Sequence, residues 1–355
     1  QVTRPRGAVA LLAGHRRRER FAKLTLVSYL QPEHLMQSNA GPSTPRLTRR
    51  DVLQAASAAS AAVAVTGAGL ALDPMELQAP WFRISLAEWS LHRTLRSSGA
   101  ERITNLEFPG VAKGLGIDGV EYVNAFFKSA GRGGEQVWRG TDFGYLNDLR
   151  GACSEAGVES LLIMVDGEGQ LADEDDSRRR EAVENHFKWV AAAAYLGCHS
   201  IRVNAGGGGT PEQQAARAAE SLLRIARVSD AYDINVIVEN HGGLSSDGAW
   251  LAGVMRRCDH PRVGTLPDFG NFYEYDRYQG VADLMPFAKA VSAKSYAFDG
   301  EGNETKIDYA RMMKIVKDAG YRGWVGVEYE GGDADERAGI TRTRELLERL
   351  RTELS

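Results

Sequence analysis

The stretch VIVENHGG at 236–243 runs three β-branched residues into a carboxylate, an amide and an imidazole before two glycines end it. Two further stretches share that form: VGTLPDFGNF at 263–272, which carries Asp268, and WVGVEYEG at 324–331, which carries Glu328. Glu239, Asp268 and Glu328 each stand at the end of an apolar run, with Lys294 near the end of the run AVSAKSY at 290–296. Three carboxylates brought to one point repel one another and raise their own pKa values unless a cation offsets the charge. A divalent metal meets that need. All-oxygen donors favour Mg²⁺ or Mn²⁺, and Zn²⁺ is less suited because His and Cys donors are scarce. Glu239 and Glu328 are also the candidates for proton transfer.

Other residues at the ends of such runs are suited to holding a polar substrate. His241 lies two residues beyond Glu239 and shares its side if the strand continues, as a substrate partner, an acid/base group or a loop histidine. Lys294 is expected to bind a substrate oxygen or to neutralise the carboxylates, with a buried salt bridge as the plain alternative. Earlier in the chain stand Glu88, Trp89 and His92, then Glu121 and Asn124, Asp166 and Glu168, and Arg202 with Asn204 two residues on. Trp89, Phe126, Phe272 and Tyr296 suit the apolar face of a sugar, although aromatic residues are more often core or rim.

The elements that would position these groups follow from periodicity. Eight short apolar runs rich in Val and Ile fall at 81–89, 116–124, 158–166, 198–204, 234–240, 262–268, 290–296 and 323–329. Between them lie segments whose apolar residues recur every three or four positions, as in helices packed on a sheet. Continuous apolar strands alternating with helices imply a parallel sheet covered on both faces, and eight such units predict a (β/α)8 barrel. In that fold the C-terminal strand ends converge on one mouth, which explains why charged residues wait there. A doubly wound open sheet is the rival, but no GxGxxG turn follows the first strand. The glycine run NAGGGGTPEQQ at 204–214 opens a helix with Thr210 as N-cap and Pro211 in the first turn, and reads more as a connection than as an anion site.

Residues 1–72 differ in kind. Arg49 and Arg50 precede an alanine-rich, uncharged run ending near Ala71, so 47–71 is expected to be a twin-arginine-like export signal within an unstructured extension, with 73–355 as the barrel domain. The run is too short and too poor in Leu and Ile for a membrane span. Export to the periplasm by the twin-arginine machinery is the corresponding expectation. Residues 1–72 hold 10 of the 43 basic and 3 of the 47 acidic residues, so the remainder carries a net charge of −11. Such a surface repels polyanions and argues against a nucleic-acid partner. Cys153, Cys198 and Cys258 lie far apart and are expected to be buried free thiols.

The stretches VIVENHGG, LPDFGNF, VSAKSYAFDGEGNE and GYRGWVGVEYEG make the region 80–350 resemble the sugar phosphate isomerase/epimerase superfamily, the xylose isomerase-like TIM barrels that include the endonuclease IV fold. The resemblance implies a divalent metal held by Glu239, Asp268 and Glu328, with the two glutamates moving a proton between neighbouring carbons of a sugar. It also implies a histidine ligand on strand 7, where this chain has Ser292, and a substrate-binding histidine where it has Asn271. His241, Lys294, Asn271, Glu121, Asn204, Arg202, His92 and Tyr296 are then the candidate substrate-binding residues. The implied activity is a sugar, keto-sugar or polyol isomerase or epimerase. A keto-sugar lyase or hydratase and a non-catalytic exported sugar-binding protein are the alternatives, and a homodimer is compatible with all three. Endonuclease chemistry is disfavoured, because a multinuclear zinc site needs more histidines than the mouth offers.

Overall fold

The computed structural model describes residues 80–355 apart from 132, 133, 139, 141 and 334, and the expected export signal at 47–71 lies outside the described residues. Eight parallel strands form one curled sheet: β1 (Arg83–Ala87), β2 (Gly119–Val123), β3 (Glu159–Met164), β4 (Ser200–Val203), β5 (Asn235–Glu239), β6 (Val263–Leu266), β7 (Val291–Ser295) and β8 (Trp324–Tyr329). Each lies within the run that periodicity assigned to it, trimmed where polar turn residues begin.

Helices α1 (Phe108–Gly114), α2 (Phe143–Ala156), α3 (Asp176–Leu196), α4 (Pro211–Ser229), α5 (Gly248–Cys258), α6 (Arg277–Leu284), α7 (Tyr309–Asp318) and α8 (Glu336–Glu353) follow the strands in turn. Aspartates start most of them. Asp142, Asp175, Asp247, Asp276, Asp308 and Asp335 each accept a backbone N–H in the first turn, satisfying donors that a helix leaves unpaired. Thr210 does the same for α4 in a reciprocal capping box with Gln213. That box, and the bridge between Gly207 and Ala172, make the glycine run an ordered connection whose helix N-terminus is already capped.

The ladder runs β6-β5-β4-β3-β2-β1-β8-β7. The ring closes between β6 and β7 through the parallel bridges Thr265–Ala288 and Asp268–Ser292, with Phe269 N donating to Ser292 O and Ser292 N donating to Pro267 O. The closing seam therefore carries Asp268 itself. Side chains such as Leu86, Val120, Leu162, Ile201, Val236, Val291 and Val327 are fully buried and fill the space in and around the strands. A two-stranded hairpin, Lys128–Gly131 with Gly134–Val137, projects after β2 and has no counterpart in the sequence reading. The three cysteines are buried and unpaired, as expected.

Candidate metal centre and active site

β5 ends at Glu239, and Gly242 and Gly243 follow with φ values of 82° and 56°. Side chains resist that backbone region, so the glycines let the chain turn away and leave Glu239 aimed at the mouth. Asn240 locks this strand end to the next: its Nδ2 donates to Asp268 O at 3.0 Å and its Oδ1 accepts from Asp268 N at 2.8 Å. Alternation turns Asn240 to the side opposite Glu239, and nothing in its local sequence assigns it a role. It sets the height at which Asp268 stands beside Glu239.

Glu239, Asp268 and Glu328 come together. One oxygen from each lies within 4.8 Å of the others, and all three side chains are buried. Asp268 Oδ1 accepts from Gly270 N (2.8 Å) and Asn271 N (2.7 Å), while Oδ2 accepts from Ser292 Oγ (2.7 Å). Ser292 Oγ also lies 3.1 Å from Glu328 Oε2. Glu328 Oε1 meets Lys294 Nζ at 3.1 Å, and the same ammonium lies 3.5 Å from Glu330 and 3.8 Å from Asp268. Asn271 joins the two ends of the cluster, accepting from Lys294 Nζ at 3.1 Å and donating to Glu239 Oε1 at 3.0 Å.

The electrostatics separate the carboxyls. Burial pushes Glu239 up to about 8; Arg202 partly offsets this, while Glu328 and Asp268 add to it. Burial likewise lifts Asp268 to about 6 against the opposing charge of Lys294. Burial also acts on Glu328, but Lys294, by charge and hydrogen bond, and Arg202 hold it below the ordinary carboxylate value. Lys294 stays charged, because the surrounding carboxylates outweigh its own desolvation.

Arg202 Nε lies 2.8 Å from Glu239 Oε2, yet the N–H does not point at it, so the contact is ionic and both atoms lack a hydrogen-bond partner. Arg202 Nη1 donates to Asp166 at 2.7 Å, and Asn204 Nδ2 donates to the same oxygen at 2.7 Å. Asn124 fixes Asp166 from the other side, through both its backbone N and O. His241 keeps one face exposed at the rim, while the protein packed around the rest of its ring, and then the charge of Arg202, lower its pKa against the opposing charge of Asp166.

One expected substrate contact, Glu121, stands elsewhere, and another, His92, has structural partners of its own. Glu121 lies fully buried inside the barrel, accepting from Ser85 Oγ at 2.5 Å beside Gly326, where a Cβ would come within 2.5 Å of its carboxylate. Side chains on a strand lean along it, and Glu121 leans inward rather than toward the mouth. His92 stacks on Trp89 with ring centroids 5.2 Å apart and lies 3.6 Å from Glu336, fixing the loop after β1 to α8. Phe126 and Phe272 are buried, and Tyr296 is half-buried at the end of β7. Glu330, which the sequence reading passed over, contacts Lys294; only the fold places it there.

The donor set fits a hard divalent cation on two observations. Three buried carboxylates face each other with negative charge in excess, and Glu239 Oε2 has no hydrogen bond. Glu239, Asp268 and Glu328 would hold the ion, with no nitrogen or sulfur donor in the cluster found among the described residues.

Several solved structures are similar to this fold. The 3-keto-D-glucoside 4-epimerase from E. coli is 15% identical, with a TM-score of 0.57 over 77% of this chain and 100% of that one. D-psicose 3-epimerase, solved in the presence of D-fructose, is 13% identical, with a TM-score of 0.60 over 76% and 99%. A xylose isomerase-like TIM barrel protein from Mycobacterium smegmatis, in complex with magnesium, is 14% identical, with a TM-score of 0.57 over 77% and 98%. At such identities the likeness establishes the fold. A comparison with curated protein sequences gives no match. The family described as "Xylose isomerase-like TIM barrel" matches residues 110–352, more than half of the sequence and from within α1 to within α8, so the chain belongs to the xylose isomerase-like TIM barrel family.

Proposed function

We propose that the protein is a sugar isomerase or epimerase that moves a proton between neighbouring carbons of a keto-sugar or related polyol. The observation that carries this reading is the convergence of Glu239 and Glu328 on Asp268, one oxygen of each lying within 4.8 Å of the others. Two carboxyl groups facing one point can serve as proton acceptor and proton donor to the same substrate. A divalent ion, when bound, polarises a carbonyl and its neighbouring hydroxyl.

The chain supplies the rest. Glu328, held ionised by Lys294, accepts the proton from the carbon beside the carbonyl. Glu239, on the other side of the cluster, returns a proton to the substrate, and the roles reverse in the return direction, so no oxidant or reductant is needed. Asn271 keeps Glu239 and Lys294 in a fixed relation, and Arg202, Asn204, Asp166 and His241 offer donors and acceptors for hydroxyl groups. The sugar epimerases among the similar structures support this substrate class. The pair Arg49–Arg50 ahead of an uncharged run supports export to the periplasm, which a reporter fused after residue 72 tests by its location.

The test incubates purified protein with a panel of ketoses and 3-keto-glycosides in D₂O with Mn²⁺ or Mg²⁺, following carbon-bound deuterium by NMR. Deuterium incorporation with conserved substrate mass, lost in Glu239→Gln, supports the reading. Loss of water or of a leaving group identifies a lyase instead. Binding without exchange leaves a sugar-binding protein.

A further inference from the structure

Ser292 occupies a position unlike any other polar residue at the mouth. It lies on the closing seam of the barrel, bridged to Asp268 on one side and in register with Gly326 on the other, and it is 1% exposed. Its Oγ stands 2.7 Å from Asp268 Oδ2 and 3.1 Å from Glu328 Oε2, so a single hydroxyl sits between two of the three carboxylates. A hydroxyl has one hydrogen to give, so it can donate fully to only one of them at a time. On the third carboxylate, the buried Oε2 of Glu239 has the charge of Arg202 beside it at 2.8 Å but accepts no hydrogen bond.

No imidazole or thiolate joins this cluster among the described residues, and the exposed His241 hangs from the loop beyond β5. Position 292 is thus the point on the strands from which a longer or softer donor would enter between the ligands. A short neutral hydroxyl there leaves the cluster made wholly of oxygen.

We propose that Ser292 is the metal-selectivity residue of this site: by keeping a nitrogen or sulfur donor out of the cluster, it tunes the site toward hard divalent cations such as Mg²⁺ and Mn²⁺ and away from Zn²⁺. The inference rests on the reading of Glu239, Asp268 and Glu328 as metal ligands. Its physical basis is donor softness. Zn²⁺ gains strongly from imidazole or thiolate, whereas Mg²⁺ gains almost nothing from either and prefers carboxylate and water. Lys294, the nearest charged neighbour, is already held by Glu328, Glu330 and Asp268, and as an ammonium it is no competitor for the ligand role.

The experiment titrates the full chain, freed of metal, with Mg²⁺, Mn²⁺ and Zn²⁺ by calorimetry, and repeats this with Ser292→His, Ser292→Cys and Ser292→Ala, with circular dichroism to confirm folding. No substrate or turnover is involved. The expected result is that His and Cys raise Zn²⁺ affinity relative to Mg²⁺ by at least about tenfold. Ala, which adds no donor, is expected to leave that ratio within about threefold of wild type. Cys is close to Ser in size and keeps the test intact if the larger imidazole prevents folding at this buried position. An unchanged ratio in the folded donor variants, or an equal change in Ala, overturns the selectivity role while leaving the metal site standing. Failure of the wild-type chain to bind any of the three ions overturns both.

Discussion

Replacing Lys294 by Met tests whether the carboxylate cluster depends on a cation. The ammonium is 2% exposed and lies 3.1 Å from Glu328, 3.5 Å from Glu330 and 3.8 Å from Asp268. At 3.1 Å and an effective dielectric of about 20, one such contact attracts by roughly 5 kcal/mol before desolvation is counted. The net loss is smaller, because the variant has an escape: Glu328 can take up a proton. Raising that protonation from the ordinary value of 4.5 to pH 7, at about 1.4 kcal/mol per unit, costs roughly 3 kcal/mol, close to the cost expected when one member of a buried pair is removed. The sign follows from linkage. Lys294 depresses the folded-state pKa of Glu328, so this stability is present above about 4.5 and is lost as pH falls through the folded value. Urea unfolding of wild type and Lys294→Met at pH 7 should therefore differ by about 3 kcal/mol, and the difference should shrink toward pH 4.5. Added Mn²⁺ should also shrink it, because a divalent charge takes over from the lost ammonium. A loss under about 1 kcal/mol, or one indifferent to both pH and metal, would refute the reasoning.

Turnover in Glu239→Gln and Glu328→Gln should each fall by at least about 10², read from deuterium exchange, and near-normal exchange removes that residue from the mechanism. Mn²⁺ or Mg²⁺ at about 100-fold above its Kd should stabilise the protein by about 2.7 kcal/mol, an effect abolished by chelator and by Asp268→Asn. Burial lifts Glu121 to about 7, so the folded state holds a proton that the unfolded chain releases, and stability falls as pH rises from about 4.5 toward 7; Glu121→Gln should flatten that fall in unfolding curves across this range. Glu336 accepts from Arg93 N and Nε and from Thr94 N and Oγ1 while 3% exposed, so Glu336→Ala should cost about 3 kcal/mol in urea unfolding and loosen the loop after β1 in hydrogen exchange.

Particular residues mark how far the sequence could be read. The run VIVENHGG told its own story: β-branched residues demand a strand, paired glycines demand its end, and a carboxylate between them stands at the rim. Alternation places Ser292 and Lys294 on one face of β7. Glu121 obeyed the same alternation but leaned to Ser85 and the space above Gly326, a choice made by neighbouring strands rather than by its own. Asn240 and Glu330 acquire their parts only from partners 28 and 36 residues away, at Asp268 and Lys294. The hairpin after β2 carries no apolar run to announce it.

The sequence by itself determined the number and order of strands, the helices between them and the residue types waiting at each strand end, because these depend on local periodicity, capping and the burial of β-branched side chains. The tertiary structure alone decided which of those side chains meet. Register around the ring, its closure at Asp268 and Ser292, and the tilt of each side chain place Glu239, Asp268 and Glu328 within 4.8 Å while sending Glu121 beneath them. Distances between strand ends are fixed by hydrogen bonds among strands far apart in the chain, and those bonds exist only once the barrel has closed.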